Sequence, residues 1–151
     1  MPIATSSDKI DLSSEKKTEH LAKKFLKKLK PGNIVFLYGE MGVGKTTFTR
    51  YLINGLQKKN KVKVSEVTSP TFNILNEYQI KQLKVNHYDL FRLKSVEDLK
   101  NLDLFEDIEN IITLIEWPQI IENKPNNLIE LKFEYAKDHQ KRLLQIKGLT
   151  L

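Results

Sequence analysis

The 151-residue sequence contains no cysteine, one tryptophan, five prolines and six glycines. Without thiols there is no disulfide scaffold, no Cys-ligated zinc and no thiolate nucleophile, and the composition suits a reducing compartment. Arginine is almost as scarce, with Arg50, Arg92 and Arg142 set against 22 lysines. No apolar run approaches the ~20 residues that span a bilayer. The opening MPIATSSDKIDL carries acidic residues where a secretory leader needs a basic patch and then an apolar stretch. No repeat, low-complexity tract or Pro/Gly-rich linker divides the chain, and its length suits one hydrophobic core. The expectation is a single domain over residues 1–151, soluble and cytoplasmic, with no membrane partner.

The net charge of +6 is unevenly spread: residues 1–65 hold 14 Lys/Arg against 5 Asp/Glu, and residues 66–151 hold 11 against 14. A basic first half suits phosphate-bearing partners, either nucleotide or RNA. Because nearly all of it is lysine, solvated helix faces account for it as well, and charge alone does not decide.

Ser13 and Ser14 can cap a helix in which Leu21, Ala22, Phe25, Leu26 and Leu29 recur at helical spacing, with Lys27, Lys28 and Lys30 at its C-terminal end and Pro31-Gly32 as its stop. Ile34–Tyr38 is a short continuous apolar run, the pattern of a strand buried on both faces. Phe48, Tyr51, Leu52 and Leu56 form the stripe of a second helix from Thr46 to about Gln57. A short strand near Val62–Val64 is expected next. A hairpin follows, with Phe72, Ile74, Asn76 and Tyr78 alternating on one arm, Leu83, Val85 and His87 on the other, and Gln79–Gln82 between them. Ser95 begins an acidic helical stretch through about Phe105. Ile111–Ile115, Leu128–Tyr135 and Leu143–Ile146 complete the strands, the last two joined by the polar turn AKDHQ. Strands interleaved with helices define an α/β protein.

The segment IVFLYGEMGVGKTTF carries the chemistry. Gly39, Gly44, Lys45 and Thr46 satisfy G-x-x-x-x-G-K-[ST] in full, with a buried strand before it and an amphipathic helix after it. The glycines let successive backbone N–H groups of Gly39, Glu40, Met41, Gly42, Val43 and Gly44 turn inward as an anion nest. The helix starting near Lys45 adds the positive end of its dipole, with Thr47 in its first turn. Lys45 supplies a compact charge to the outer phosphates, and the Thr46 hydroxyl is a ligand for Mg²⁺. The pattern calls for a nucleoside triphosphate.

A P-loop also needs a carboxylate at the end of a neighbouring strand. Asp89 follows Leu83–Tyr88 and Glu116 follows Ile111–Ile115. Both stand as metal-organising acids, and their division of labour stays open. His87 reads as an orienting or structural residue with no partner fixed. Guanine would need N-K-x-D, and the nearest string, Asn123–Asn126, reads NKPN and lies away from a strand end. ATP is therefore favoured over GTP.

Four segments in this order and spacing, GEMGVGKTTFTRYLINGL, VTSPTFNILNEY, VNHYDLFRL and LIEWP, resemble the TsaE (YjeE) family. These are small bacterial P-loop ATPases required for threonylcarbamoyladenosine modification of tRNA. The similarity runs from about Ser14 to Glu122. It implies a mostly parallel sheet with antiparallel additions, flanked by helices. It also implies slow hydrolysis of ATP with Mg²⁺, and action with TsaD and TsaB, so that tRNA is met indirectly, through the complex. By motif, Lys45 and Thr46 would hold phosphate and metal, and Asp89 and Glu116 would organise metal or water. Ser69-Pro70-Thr71 would form a mobile loop in which Thr71 senses the γ-phosphate, and Trp117 would lie near the nucleotide. Met41, Val43 and Phe91 stand where the family usually has Leu, Ala and Tyr.

No catalytic arginine is placed by the sequence; Arg50 and Arg92 are candidates without geometry. Two rival readings share the P-loop. A small-molecule kinase would need an Arg-bearing lid that three arginines hardly supply, and a nucleotide-switched binding module would keep its cellular role without hydrolysis.

Overall fold

The computed structural model describes residues 9–151. The first eight residues, which carry part of the leader reading and the start of the 1–151 domain, lie outside the described residues. Strand β1 (Lys9–Asp11) leads into helix α1 (Glu15–Leu26), strand β2 (Ile34–Tyr38) and helix α2 (Lys45–Lys59). The hairpin β3 (Leu75–Ile80) and β4 (Leu83–Asp89) follows, then a single-turn helix α3 (Val96–Lys100), β5 (Ile111–Glu116), a 3₁₀ turn at Pro118–Ile120, β6 (Leu128–Ala136) and β7 (Lys141–Lys147). Among the described residues no helix is long and apolar enough to cross a membrane.

These strands form one mixed seven-stranded sheet among the described residues, in the order β1-β7-β6-β2-β5-β4-β3. The four central strands, β6, β2, β5 and β4, are parallel. The antiparallel strands lie outside them, β3 on one edge and β7 with β1 on the other. Parallel strands are buried on both faces, and the apolar run of β2 shows why it takes the centre. Val35 and Leu37 point to one face, where they pack with Leu114 of β5 and Leu131 of β6 against Phe25 of α1 and with Phe48 and Leu52 of α2. Ile34 and Phe36 point to the other, where Ile115, Tyr88, Leu90, Leu104 and Ile121 close a smaller core.

The expected elements form with shifted ends. Helix α1 is capped by Ser14, whose hydroxyl accepts from the Lys17 amide at 3.2 Å, but it ends at Leu26 rather than reaching Lys30. Helix α3 stops at Lys100, capped by Asn101, instead of running to Phe105; Asp103 takes a positive φ (50°), off the helical path. No strand forms at Val62–Val64, which follows a turn at Lys61 (φ 58°). Phe72 and Ile74 fall outside β3, with Ile74 at φ 68° and the Phe72 side chain 82% exposed. The β3–β4 turn tightens to Lys81-Gln82. Strand β1 was not expected; three residues become a strand because Lys9, Ile10 and Asp11 pair with Gln145, Leu144 and Leu143 of β7.

Candidate functional site

The centre of the site is set by where β2, β4 and β5 end. Tyr38 closes β2, and the chain turns at Gly39 so tightly that an added Cβ would meet the Phe133 carbonyl oxygen and the Val43 side chain, each at 2.8 Å. Gly44 caps α2 at φ 116°, a left-handed conformation that favours glycine. These two turns bring the first residues of α2 back over the sheet. Lys45 is buried, 4% exposed, and its Nζ donates to the Gly39 carbonyl at 2.5 Å. The same ammonium lies 3.9 Å from the centroid of the Trp117 ring, a cation–π contact. Burial pulls the Lys45 pKa below the usual lysine value, while the negative charges of Glu116 and Asp89 push back.

Parallel register places the two acids side by side. Asp89 pairs with Glu116 at the C-terminal ends of β4 and β5. Both are buried, and their bonding differs. Asp89 is surrounded by donors: Oδ2 accepts from Ser69 Oγ at 2.7 Å and Thr71 Oγ1 at 3.3 Å, and Oδ1 accepts from the Phe91 amide at 2.9 Å. Glu116 has one side-chain partner among the described residues, His87, with Nε2 and Oε2 2.6 Å apart. Trp117, the next residue, adopts φ 57° and packs against Phe91 with ring centroids 4.9 Å apart. That left-handed turn swings the indole over Lys45.

A cleft of about 280 Å³ opens between these groups. Of the sequence-predicted residues, Met41, Gly42, Gly44, Lys45, Thr46, Thr47, Thr71, Asp89, Glu116 and Trp117 line it. Gly39, Glu40 and Val43 do not: Gly39 shapes the turn, and Val43 is buried in the core beneath it. Ser69, Phe91 and Arg142 also contribute to the wall. Arg142 is the cleft's arginine. Arg50 instead pairs with Glu15 at 2.5 Å on the α1–α2 surface, and Arg92 lies over the exposed Phe72 ring at 4.9 Å. Arg142 comes from β7, nearly a hundred residues after the P-loop, and no local motif marks it.

A Gly-rich loop between the central parallel strand and its following helix, with carboxylates at the ends of adjacent strands, defines a P-loop NTPase-like protein. Comparison with known proteins narrows the class. The family model for threonylcarbamoyl adenosine biosynthesis protein TsaE matches residues 12–144, and the chain belongs to this family. It is 43% identical over 136 residues to the tRNA threonylcarbamoyladenosine biosynthesis protein TsaE of Rickettsia bellii, covering 89% of this chain and 91% of that one. The protein of the same description from Aquifex aeolicus is 34% identical over 132 residues, covering 87% and 90%. The crystal structure of Bacillus subtilis YdiB shares the fold, with a TM-score of 0.67 and 24% identity over 94% of this chain and 86% of that one.

Proposed function

We propose that this chain binds ATP with Mg²⁺ in the cleft and hydrolyses it slowly as an accessory factor in tRNA N6-threonylcarbamoyladenosine formation at position 37. In this role it would act with TsaD and TsaB and meet tRNA only through that complex. The observation that carries the reading is the convergence of Lys45, Thr46, Thr71, Asp89 and Glu116 on one cleft at the N-terminus of α2. The loop amides from Gly39 to Gly44 and the helix dipole favour a polyphosphate. Lys45 leaves the Gly39 carbonyl for the outer phosphates, and Thr47 lies in the first turn of α2 beside the inner ones.

The donor set fits Mg²⁺. Among the described residues no group of three or more His, Asp or Glu side chains forms an all-protein metal cage. Magnesium on a nucleotide needs none, because one or two protein ligands join phosphate oxygens and water. Thr46 and the two acids would hold the ion, which when bound neutralises charge building up on the phosphate oxygens. Asp89 ties the Ser69–Thr71 segment to the cleft and makes its hydroxyls responsive to the γ-phosphate. Glu116 has one carboxylate oxygen with no protein partner among the described residues and orients water. Trp117 and Phe91 form an apolar wall that limits water around Lys45. Lys45, Asp89 and Glu116 are the residues assigned to the reaction.

The test is phosphate release from Mg·ATP with and without purified TsaD–TsaB, with Lys45→Ala as the blank. A partner that completes a P-loop site can add on the order of 10³–10⁵ in rate. Stimulation that disappears in the blank is the expected result. Hydrolysis indifferent to the partners would refute the partnership while leaving the ATP site. No binding of ATP by the unmutated chain would refute the site itself.

A further inference from the structure

The pair formed by His87 and Glu116 is the most deeply buried titratable contact outside the P-loop, with side-chain exposures of 0% and 3%. His87 and Asp89 share one face of β4, as Leu114 and Glu116 share one face of β5. His87 is registered with Leu114, so it reaches Glu116 along the diagonal of the parallel ladder. The contact therefore forms inside the sheet, one pleat behind the cleft.

The surroundings of the second ring nitrogen bear on which tautomer the contact uses. Nδ1 is buried with no hydrogen-bond partner among the described residues. A neutral imidazole has one N–H and one lone pair. If Nε2 carries the hydrogen, it donates to the carboxylate and only a lone pair is left unpaired at Nδ1. If Nδ1 carries it, a buried N–H is left unsatisfied. The first arrangement strands only a lone pair, whereas the second strands a buried donor, which costs more.

We propose that His87 is a positioning residue: its Nε2–H holds Oε2 of Glu116, fixes the carboxylate's rotamer and leaves Oε1 as the oxygen presented to the cleft. This rests on the role given to Glu116 above. Buried hydrogen-bond partners that orient a metal- or water-facing carboxylate typically contribute about 10–100-fold in affinity or activity.

The test has a readout independent of turnover. In ¹⁵N–¹H correlation spectra of the histidine rings of the full chain, His87 is expected to show a protonated Nε2 and a lone-pair-type Nδ1. An Nδ1–H signal would overturn the proposal. His87→Leu removes the donor and is expected to lower kcat about 10–100-fold while KM for ATP changes little, with the Mg²⁺ half-saturation point moving upward. His87→Gln, whose amide can place an N–H near the position of Nε2, is expected to recover most of the loss. His87→Leu combined with Glu116→Gln should be no slower than Glu116→Gln alone, because both act on one contact. Additive losses, or a Gln variant as slow as Leu, would indicate a merely structural histidine. Should His87→Leu fail to fold, the ring spectrum and the Gln variant still decide. If Glu116→Gln hydrolyses at the unmutated rate, the assignment of Glu116 falls and takes this inference with it; a slow Glu116→Gln beside a normal His87→Leu overturns this inference alone.

Discussion

Lys45 shows how one side chain links folding to ligand. Its ordinary pKa of 10.5 is depressed mainly by burial, with Glu116 and Asp89 opposing the shift. The unfolded chain therefore holds that proton more tightly than the folded one between the depressed value and 10.5. Lys45's contribution is fully favourable above the unfolded value and is lost as pH falls through the folded one, so the charged amine is a cost at neutral pH. In the proposed ATP complex, phosphate oxygens would reverse the preference. Titration calorimetry in two buffers of different ionisation enthalpy, run in the alkaline range just below 10.5, should detect proton uptake when the triphosphate binds. Lys45→Ala should abolish that uptake. Trp117 gives a second reading of the same event. It is the sole tryptophan, and its ring is 3.9 Å from the ammonium. Drawing Lys45 away should change indole emission saturably with Mg·ATP, and the change should be absent in Lys45→Ala.

Helix α2 carries the P-loop residues because its underside is locked into the core. Phe48, 0% exposed, is held edge-on between Phe25 of α1 (centroids 5.4 Å, planes at 81°) and Phe133 of β6 (5.9 Å, 64°). Phe48→Ala should cost about 3–5 kcal/mol in a urea melt and weaken nucleotide binding beyond what unfolding explains, since Lys45 and Thr46 lie within one turn of the void. Elements of this kind were legible in the sequence: α2, β2 and β5 announce themselves through local periodicity, and the P-loop through its spacing. The acids at the ends of β4 and β5 were legible too, because a strand's last residue can be read without knowing its neighbour. What stayed hidden depends on register. The partner of His87 follows from β4 lying beside β5, and the presence of Arg142 in the cleft follows from β7 folding back along β6. Strand β1 exists only through its partner β7. The early end of α3 goes with Asp103, whose left-handed backbone no helical pattern discloses.

At the scale of the whole molecule, a half-buried contact ties the sheet's centre together. Tyr38, at the end of β2, donates to Glu130 of β6 at 2.8 Å, and Lys124 approaches the same oxygen at 3.1 Å. Burial alone would raise the Glu130 carboxyl, but the Tyr38 hydroxyl and the Lys124 ammonium outweigh it and hold it below the ordinary 4.5. Its stabilising contribution is present above 4.5 and is lost as pH falls through the lowered value. Between 4.5 and that lowered value the urea midpoint of the unmutated chain should fall more steeply than that of Glu130→Gln, with the two curves followed from neutrality into acid. The position of β2 has another consequence. Both strands that flank it, β5 and β6, come later in the chain than the P-loop they support. During synthesis the phosphate loop leaves the ribosome long before the neighbours that give it shape. A nascent chain stalled before Leu128 should be unable to retain a triphosphate, however complete its motif, and capture on an immobilised nucleotide would begin only once β6 has emerged. Nucleotide loading would thus report that the sheet around the P-loop has assembled.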